Sequence, residues 1–220
     1  MGRPFLELSD RTPVCFGDTR QIYEVSDYPG SLVRTIRPER VDAFGHLVGK
    51  NGMKRLRMAG CYQGFARELA EYLIQSRRLH TQPGFLLPFA HIYGLVQTDM
   101  GTGLVMEKIV GEDGELAPTI GHLHAEGRLT DKHQAALEAM FERCRGLHIV
   151  LSDIHANNIV YTEERSGRPE CVSVDGFGER VFIPIHRWFA SVNRRKINRI
   201  ARDAAASLRR PPAQERWGRH

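Results

Sequence analysis

The stretch HIVLSDIHANNIVYT at residues 148–162, followed by CVSVDGFGER at residues 171–180, decides the fold class. Asp153 ends a short apolar run, Asn158 comes five residues later, and Asp175 ends the next strand-like run just before Gly-Phe-Gly. Transfer of a γ-phosphoryl group needs a carboxylate that orients the attacking hydroxyl, and oxygen ligands that hold magnesium against the phosphates. The pattern predicts Asp153 as the catalytic base, with Asn158 and Asp175 as magnesium ligands.

Each of these motifs also has an ordinary structural explanation. A lone Asp and Asn at this spacing occur in many loops, and Asp-Gly is first of all a turn dipeptide. The two motifs in this order, each beside a predicted strand, favour a nucleotide-site scaffold. His155, between Asp153 and Asn158, is expected to brace the loop backbone rather than to act as a base.

The hydrophobic period along the chain changes from strand-like to helical, then back, which predicts a small, mostly antiparallel sheet followed by a helical part. We expect strands in residues 1–37, one or two amphipathic helices in 51–78, a hairpin of strands in 85–99 and 101–110, a helix over 131–147, and a basic helix over 186–208. Between the last two helices we expect two strands, NNIVYT at 157–162 and CVSVDGF at 171–177, linked by a polar hairpin.

Two of the predicted helices have an apolar stripe that should be buried. For the helix over 131–147 the stripe is Ala136, Leu137, Met140, Phe141 and Cys144, with Thr130 placed to cap the N-terminus. For the segment 51–78 it is Leu56, Ala59, Gly60, Phe65, Leu69, Tyr72 and Leu73.

The net charge, the cysteines and the apolar runs of the sequence argue against several classes of protein and site. The 220-residue chain has a formal net charge of +5, but ten Arg or Lys residues and only two acidic ones lie from His186 onward, so the earlier residues are slightly acidic. The four cysteines form no CxxC pair, which disfavours a closed zinc site and suggests reduced thiols. No apolar run approaches the roughly 18 residues of a membrane span, so we expect a soluble, cytoplasmic protein.

The two motifs resemble those of known kinases. DIHANN at 153–158 is similar to the catalytic loop of small-molecule kinases of the aminoglycoside and choline type, whose usual form is D-L-H-x-x-N, and DGFG at 175–178 resembles the magnesium-binding D-F-G with one residue inserted. With GDTRQIY, GTGLVMEKI, NNIVY, VDGFGER and a terminal Trp-plus-basic helix as further landmarks, nearly the whole chain resembles the PhoP regulatory network protein YrbL family, whose members are kinase-like.

The resemblance implies an α+β, protein-kinase-like two-lobed fold. Residues 1–109 would form an N-lobe of a small antiparallel sheet with one helix, carrying the nucleotide lid and hinge. Residues 110–210 would form a reduced, mainly helical C-lobe with the catalytic and metal loops and the basic terminal helix. Residues 211–220 would be a frayed tail.

The resemblance also assigns residues to ATP. Arg34 lies where kinase strands place a phosphate-binding lysine, and Glu68 lies where the first-lobe helix places its partner. An arginine is wider than a lysine and cannot simply replace it, which is a departure from the kinase pattern. The alternatives are a strand-edge charge for Arg34 and an exposed helix charge for Glu68.

Further positions concern the lid and the hinge. Gly17 begins the turn where the glycine-rich phosphate loop should lie, but it is a single glycine, which suggests a stiffer or more open lid. Met106, Glu107 and Ile109 match the hinge, where adenine would bond to backbone groups. Leu151 stands where kinases usually have a histidine two residues before the base.

Three functions remain open on this sequence. The first is an ATP- and Mg²⁺-dependent phosphotransferase acting on an unknown hydroxyl acceptor, and the second is a pseudokinase that binds nucleotide or a regulatory protein partner without catalysis. The third is nucleic-acid binding through the basic C-terminal helix, for which the nearby aromatics Trp188, Phe189 and Trp217 are few. We favour a core-packed helix with a solvated basic face over this third function.

Overall fold

The computed structural model describes residues 5–49, 58–179 and 184–209. The chain divides into two compact units. The first comprises Met1–Ser76 and Ala90–Lys108, and the second comprises Arg77–Phe89 and Ile109–His220. No described helix is both long enough and apolar enough to span a membrane.

The first unit is built on a sheet that has six strands among its described residues, in the order β1-β5-β6-β4-β3-β2. The strands are β1 (Phe5–Leu6), β2 (Cys15–Phe16), β3 (Arg20–Glu24), β4 (Ser31–Ile36), β5 (Ile92–Thr98) and β6 (Gly101–Glu107). Neighbouring strands are antiparallel except for β1, which is parallel to β5. The predicted mostly antiparallel sheet is confirmed, although residues 85–91, predicted as strand, precede β5.

The central strand β4 is buried along its whole length. One of its faces contributes to an apolar core, which comprises Leu6, Leu8, Tyr23, Val25, Val33, Val96 and Val105. The other face carries Arg34, which is only 2% exposed. A buried guanidinium needs a charged partner, because leaving it unpaired in a dry interior costs several kcal/mol.

A helix is present in the segment 51–78, as predicted, but its apolar stripe is only partly buried, since Phe65 is 3% exposed and other stripe residues are not buried. Helix α1 (Gln63–Arg78) follows a short 3₁₀ turn at Gly60–Tyr62, and residues 50–57, with Leu56, lie outside the described ranges. Leu73 is 57% exposed, whereas Glu68, Glu71 and Gln75 are fully buried. The polar side is buried because it meets polar partners: Gln75 Nε2 donates to Glu71 Oε1 at 2.9 Å, and Glu68 pairs with arginines described below.

The second unit is mainly helical. Its described elements are α2 (Ile120–Ala125), α3 (Asp131–Gly146), a 3₁₀ turn at Ala156–Asn158, β7 (Ile159–Thr162), β8 (Glu170–Ser173), α4 (Ile185–Trp188) and α5 (Ala190–Arg209). Strands β7 and β8 form an antiparallel hairpin, as predicted from NNIVYT and CVSV.

Helix α3 confirms its predicted stripe, since all five stripe residues are buried. Thr130 is the N-cap, and its amide donates to Nδ1 of His133 at 3.0 Å. The basic terminal segment, predicted as one helix over 186–208, forms two helices. The backbone of Phe189 is extended and separates α4 from α5. The carbonyl of Phe189 accepts from the amides of Val192 and Asn193, which starts the new helix.

The cysteines do not form disulfides among the described residues. Cys15 is exposed, whereas Cys61, Cys144 and Cys171 are buried. Burial raises the pKa of the Cys171 thiol to about 12, with a smaller contribution from the nearby Glu170 carboxylate. A thiol with so high a pKa stays protonated at neutral pH and is a poor nucleophile or metal ligand.

Candidate functional site

The loop that carries Asp153 is held against the loop that carries Asp175 by backbone hydrogen bonds. The amides of Ser152 and Asp153 both donate to the carbonyl oxygen of Gly176, at 2.8 and 3.0 Å. Gly176 has a φ of +85°, and a Cβ there would overlap the carbonyl of Asp153. The glycine after Asp175 is therefore required on two counts, backbone conformation and the close approach of the two loops.

Backbone pairing and apolar packing also hold the junction of the Asp153 and Asp175 loops. Leu151 forms an antiparallel bridge with Phe177, and the amide of Gly178 donates to the carbonyl of Val150 at 2.7 Å. Phe177 is 1% exposed and stacks on Phe89 with 4.2 Å between ring centroids. Leu151, which stands where kinases usually have a histidine, thus holds the Asp153 loop by packing and pairing rather than by a polar side chain.

Asn158 is tied to both loops. Its side-chain Nδ2 donates to the backbone carbonyl of Asp153 at 3.2 Å, and its own carbonyl accepts from the amide of Val174 at 2.9 Å, next to Asp175. With Nδ2 engaged in this way, the amide oxygen Oδ1 is the atom that Asn158 offers to a cation. The structure therefore brings the three residues of the predicted catalytic and metal site into one hydrogen-bonded junction of the second unit.

The carboxylate of Asp175 is oriented by its own loop. Its Oδ1 accepts from the amide of Gly176 at 2.6 Å, while its backbone carbonyl accepts from the hydroxyl of Ser173 at 2.7 Å. An ionised carboxylate has about four acceptor sites on two oxygens, so a carboxylate that accepts a hydrogen bond can also bind a metal ion. Asp175 is partly buried and Asp153 is exposed.

The donor set suits magnesium better than a transition metal. Within the described ranges no three His, Cys, Asp or Glu side chains cluster as metal ligands. Mg²⁺ characteristically takes one or two protein oxygens and completes its shell with waters and substrate phosphates. The carboxylate of Asp175 and the amide oxygen of Asn158 fit that requirement, whereas a closed all-protein cage would not be formed by them.

Asn157, which the sequence analysis did not select, also shapes the loop. A Cβ on Gly121, in the first turn of α2, would overlap the Asn157 side chain. The side chain of Asn157 therefore packs on α2 and anchors the loop to that helix. His155 is exposed, and its carbonyl accepts from the amide of Asn158 at 2.9 Å, which agrees with its predicted bracing role.

In the first unit, Arg34 on β4 and Glu68 on α1 form a direct ion pair between Arg34 Nη2 and Glu68 Oε2. Arg34 is 2% exposed and Glu68 is not exposed. Their burial rules out the alternatives of a strand-edge charge and an exposed helix charge. The pairing itself is that of the predicted strand and helix positions, while contact of either residue with a nucleotide stays a prediction.

A second arginine, missed by the sequence analysis, joins this pair. Nη2 of Arg20, on β3, lies 3.4 Å from Oε1 of Glu68. Both guanidinium groups lie over the ring of Phe65, with the Cζ atoms of Arg20 and Arg34 at 5.8 and 5.5 Å from its centroid. The position of Arg20 in GDTRQIY, three residues after Gly17, was the available signal.

The three residues predicted for the hinge are held by core packing and by side-chain and backbone hydrogen bonds. Met106 is 3% exposed in the core. The carboxylate of Glu107 accepts from the amide of His91, and the amide of Glu107 donates to the carbonyl of His91, both at 2.9 Å. In the second unit, the carbonyl of Ile109 accepts from Ala117, and the Ile109 amide has no hydrogen-bond acceptor among the described residues.

Comparisons with known proteins identify the family to which the chain belongs. The family model for the PhoP regulatory network protein YrbL matches residues 6–209. The chain belongs to the YrbL family. Every residue predicted for the site lies inside the matched range of this YrbL-family protein, and the resemblance noted from its sequence landmarks is confirmed.

A search of curated proteins finds no match for this YrbL-family protein. Among solved structures it is similar to the chain described as "Co-crystal structure of WbdD and kinase inhibitor LY294002", with a TM-score of 0.41 and 11% sequence identity. The match covers 92% of the YrbL-family chain and 48% of that chain, so this protein spans about half of the other chain's length.

The Gly17 turn is fastened at both sides. The amide of Gly17 donates to the carbonyl of Arg20 at 2.8 Å, and its carbonyl accepts from Nη1 of Arg37 at 3.1 Å. Asp18 forms an ion pair with Arg40. These contacts restrain the conformation of the turn in the first unit, and its role as a stiffer or more open nucleotide lid stays a prediction.

Replacement of Gly17 by Ala is expected to leave the thermal midpoint within about 1 °C, because a Cβ there has no neighbour within 4 Å and Gly17 does not have a positive φ. If nucleotide phosphates approach the Gly17 backbone, the same Gly17→Ala change should weaken ATP binding several-fold. Differential scanning fluorimetry and titration calorimetry measure the two effects separately. Unchanged ATP affinity would remove Gly17 from the phosphate-binding residues.

Proposed function

We propose that this YrbL-family protein binds ATP with Mg²⁺ and transfers the γ-phosphate to the hydroxyl group of an acceptor. The observation that supports this most is the junction at Gly176, where the loops of Asp153 and Asp175 share backbone hydrogen bonds and Asn158 is tied to both. A carboxylate, an amide oxygen and a second carboxylate held together in this way supply the oxygen groups that phosphoryl transfer requires.

Asn158 and Asp175 would hold the magnesium ion. A bound magnesium ion neutralises the charge that accumulates on the phosphate oxygens. The carboxylate of Asp175 supplies the full negative charge of the pair, and its orientation is set by the amide of Gly176. The amide oxygen of Asn158 supplies a neutral ligand whose direction is set by the bond from Nδ2 to the backbone of Asp153.

Asp153 is assigned to the acceptor. Its side chain is exposed, so an incoming hydroxyl group can reach it. Its backbone amide and carbonyl hold the residue in the junction, and its carboxylate is the group that would orient the hydroxyl and take its proton. General-base assistance of this type contributes about 10²–10⁴-fold to a rate.

A regulatory, non-catalytic role is the second candidate. It is favoured by the replacement of the usual lysine with Arg34, whose guanidinium is buried in an ion pair with Glu68. A guanidinium spreads its charge over a planar fork and does not reproduce the compact ammonium of lysine. The family description, a PhoP regulatory network protein, agrees with a protein partner for such a regulator.

The test is thermal unfolding with ATP, ADP or GTP, each with and without Mg²⁺. A ligand that binds only the folded state at 100 times its dissociation constant adds about 2.7 kcal/mol to the free energy of unfolding, so binding raises the midpoint by several degrees. We expect a rise with ATP that depends on Mg²⁺. The same ATP samples are then assayed for release or transfer of phosphate.

The two candidates give different results in these assays. Magnesium-dependent stabilisation with slow loss of ATP supports the phosphotransferase, and stabilisation without any loss of ATP supports the regulator. No stabilisation by any nucleotide, at concentrations up to several millimolar and with Mg²⁺ present, would contradict the proposed ATP binding altogether.

A further inference from the structure

The ion cluster of the first unit contains two guanidinium groups around one carboxylate. Arg34 and Arg20 approach the two oxygens of Glu68 separately, Oε2 and Oε1. The kinase-like assignment from the sequence uses one cation at this position, which is Arg34. That assignment gives no role to the second guanidinium, which belongs to Arg20.

The two arginines differ in exposure. The Arg34 side chain is 3% exposed and makes the direct ion pair, whereas the Arg20 side chain is 19% exposed and lies 3.4 Å from its oxygen. Displacing a guanidinium from a carboxylate costs more where less water can replace the lost partner. Arg20 is therefore the cation of this cluster that a ligand can reach more readily.

The position of Arg20 in the chain points in the same direction. It is the first residue of β3, and its carbonyl accepts from the amide of Gly17, so its backbone is part of the turn assigned to the phosphates. Planar guanidinium groups bind phosphate oxygens through two parallel N–H donors. A side chain of this type at the edge of a phosphate turn is suited to the β- and γ-phosphates of a nucleotide.

We infer that Arg20 is a phosphate-binding residue of this protein and that Arg34 serves mainly to hold Glu68. The inference rests on the proposed ATP binding and refines it, because it moves the phosphate contact from β4 to β3. Glu68 then has two tasks: it neutralises Arg34 in the core, and it orients Arg20 through Oε1 before a nucleotide arrives.

Gly64 makes this arrangement sterically feasible. It lies in the first turn of α1, and a Cβ on Gly64 would overlap Nη2 of Arg20. Glycine weakens a helix relative to alanine, so its presence here has a local cost that the approach of Arg20 to Glu68 explains. Substitution of Gly64 by alanine should therefore displace the Arg20 guanidinium without removing its charge.

The first experiment compares the affinities of the parent and Arg20→Ala for AMP, ADP and ATP with Mg²⁺, measured by titration calorimetry. The parent should bind ATP more tightly than AMP. Arg20→Ala should lower ATP affinity by about ten- to a hundredfold, the range of a charge-assisted hydrogen bond, and should leave AMP affinity nearly unchanged. Arg11→Ala, an exposed arginine of the same unit, is the control and should change neither affinity.

The second experiment separates binding from folding through Gly64→Ala. Because alanine favours a helix and the Arg20 side chain can move aside, the thermal midpoint should be unchanged or raised, while ATP affinity should fall. Gly146→Ala, at the end of α3 with no neighbour within 4 Å of the added Cβ, is the matched control. A loss of ATP affinity in a variant that is no less stable cannot come from unfolding.

The outcomes distinguish the inference from the proposal on which it rests. If the parent binds ATP but Arg20→Ala keeps the full preference for ATP over AMP, the assignment of Arg20 is wrong and the proposed ATP binding stands. If Gly64→Ala binds ATP as the parent does, the arrangement with Glu68 has no part in binding and the inference is overturned. If the parent binds no nucleotide, both are overturned.

Discussion

Replacement of Asp153 by Asn is expected to slow phosphoryl transfer by about 10²–10⁴-fold with little change in the affinity for ATP. Asp153 is an exposed residue that an acceptor hydroxyl can approach, and the proposed metal ligands are other residues. Its charge therefore matters chiefly as the proton leaves the hydroxyl, which happens in the transition state. Single-turnover kinetics and calorimetry measure the rate and the affinity independently.

The Asp153→Asn change is well suited to this test because the bonds that tie residue 153 to Gly176 and Asn158 are made by its backbone. Its amide donates to Gly176 and its carbonyl accepts from Asn158, so both bonds persist in the variant. Asp203→Asn, on the exposed side of α5, is the matched control. A full rate in Asp153→Asn would exclude Asp153 as the base, and a loss of ATP binding instead would assign it to the metal.

The contrast between α3 and α1 shows which parts of the fold the sequence could predict. The burial of α3 follows from its apolar period alone, because its stripe packs in the core as such stripes usually do. In α1 Phe65 is buried as its apolar side chain predicts, but the apolar Leu73 is exposed and the other buried positions are the polar Glu68, Glu71 and Gln75. Their burial depends on polar partners, and for Glu68 these are arginines on strands more than 30 residues away, which no local pattern in the sequence reveals.

The same limit applies to the candidate site. The sequence predicted Asp153, Asn158 and Asp175 as one site because they occur in this order and each follows or precedes a predicted strand. The bonds that join their loops at Gly176 are long-range, and the sequence offered only the Asp-Gly dipeptide as a sign. Arg20 was missed because its significance comes from Glu68 and Gly64, which meet it only in the folded first unit.

Replacement of Asp175 by Ala is expected to abolish the magnesium-dependent part of ATP binding while leaving the fold intact. The carboxylate is the one full negative charge offered to the ion, and interaction with a divalent cation depends strongly on that charge. The fold should persist because the bonds that join the two loops at Gly176 are made by backbone groups, which the substitution keeps. Calorimetry with excess Mg²⁺ and with EDTA isolates the magnesium-dependent part.

Two comparisons make the Asp175→Ala result specific to the metal. Asp113 begins another Asp-Gly turn of the second unit, where its carboxylate accepts from the amide of Glu115 at 3.0 Å, so Asp113→Ala should remove a turn carboxylate without affecting ATP. Asn158→Ala should weaken magnesium-dependent binding less than Asp175→Ala, because a neutral amide offers a dipole where a carboxylate offers a charge. If Asp175→Ala bound Mg-ATP as the parent does, Asp175 would be a turn residue like Asp113. An equal or larger loss for Asn158→Ala would instead make its bond to the Asp153 backbone the main contribution of Asn158.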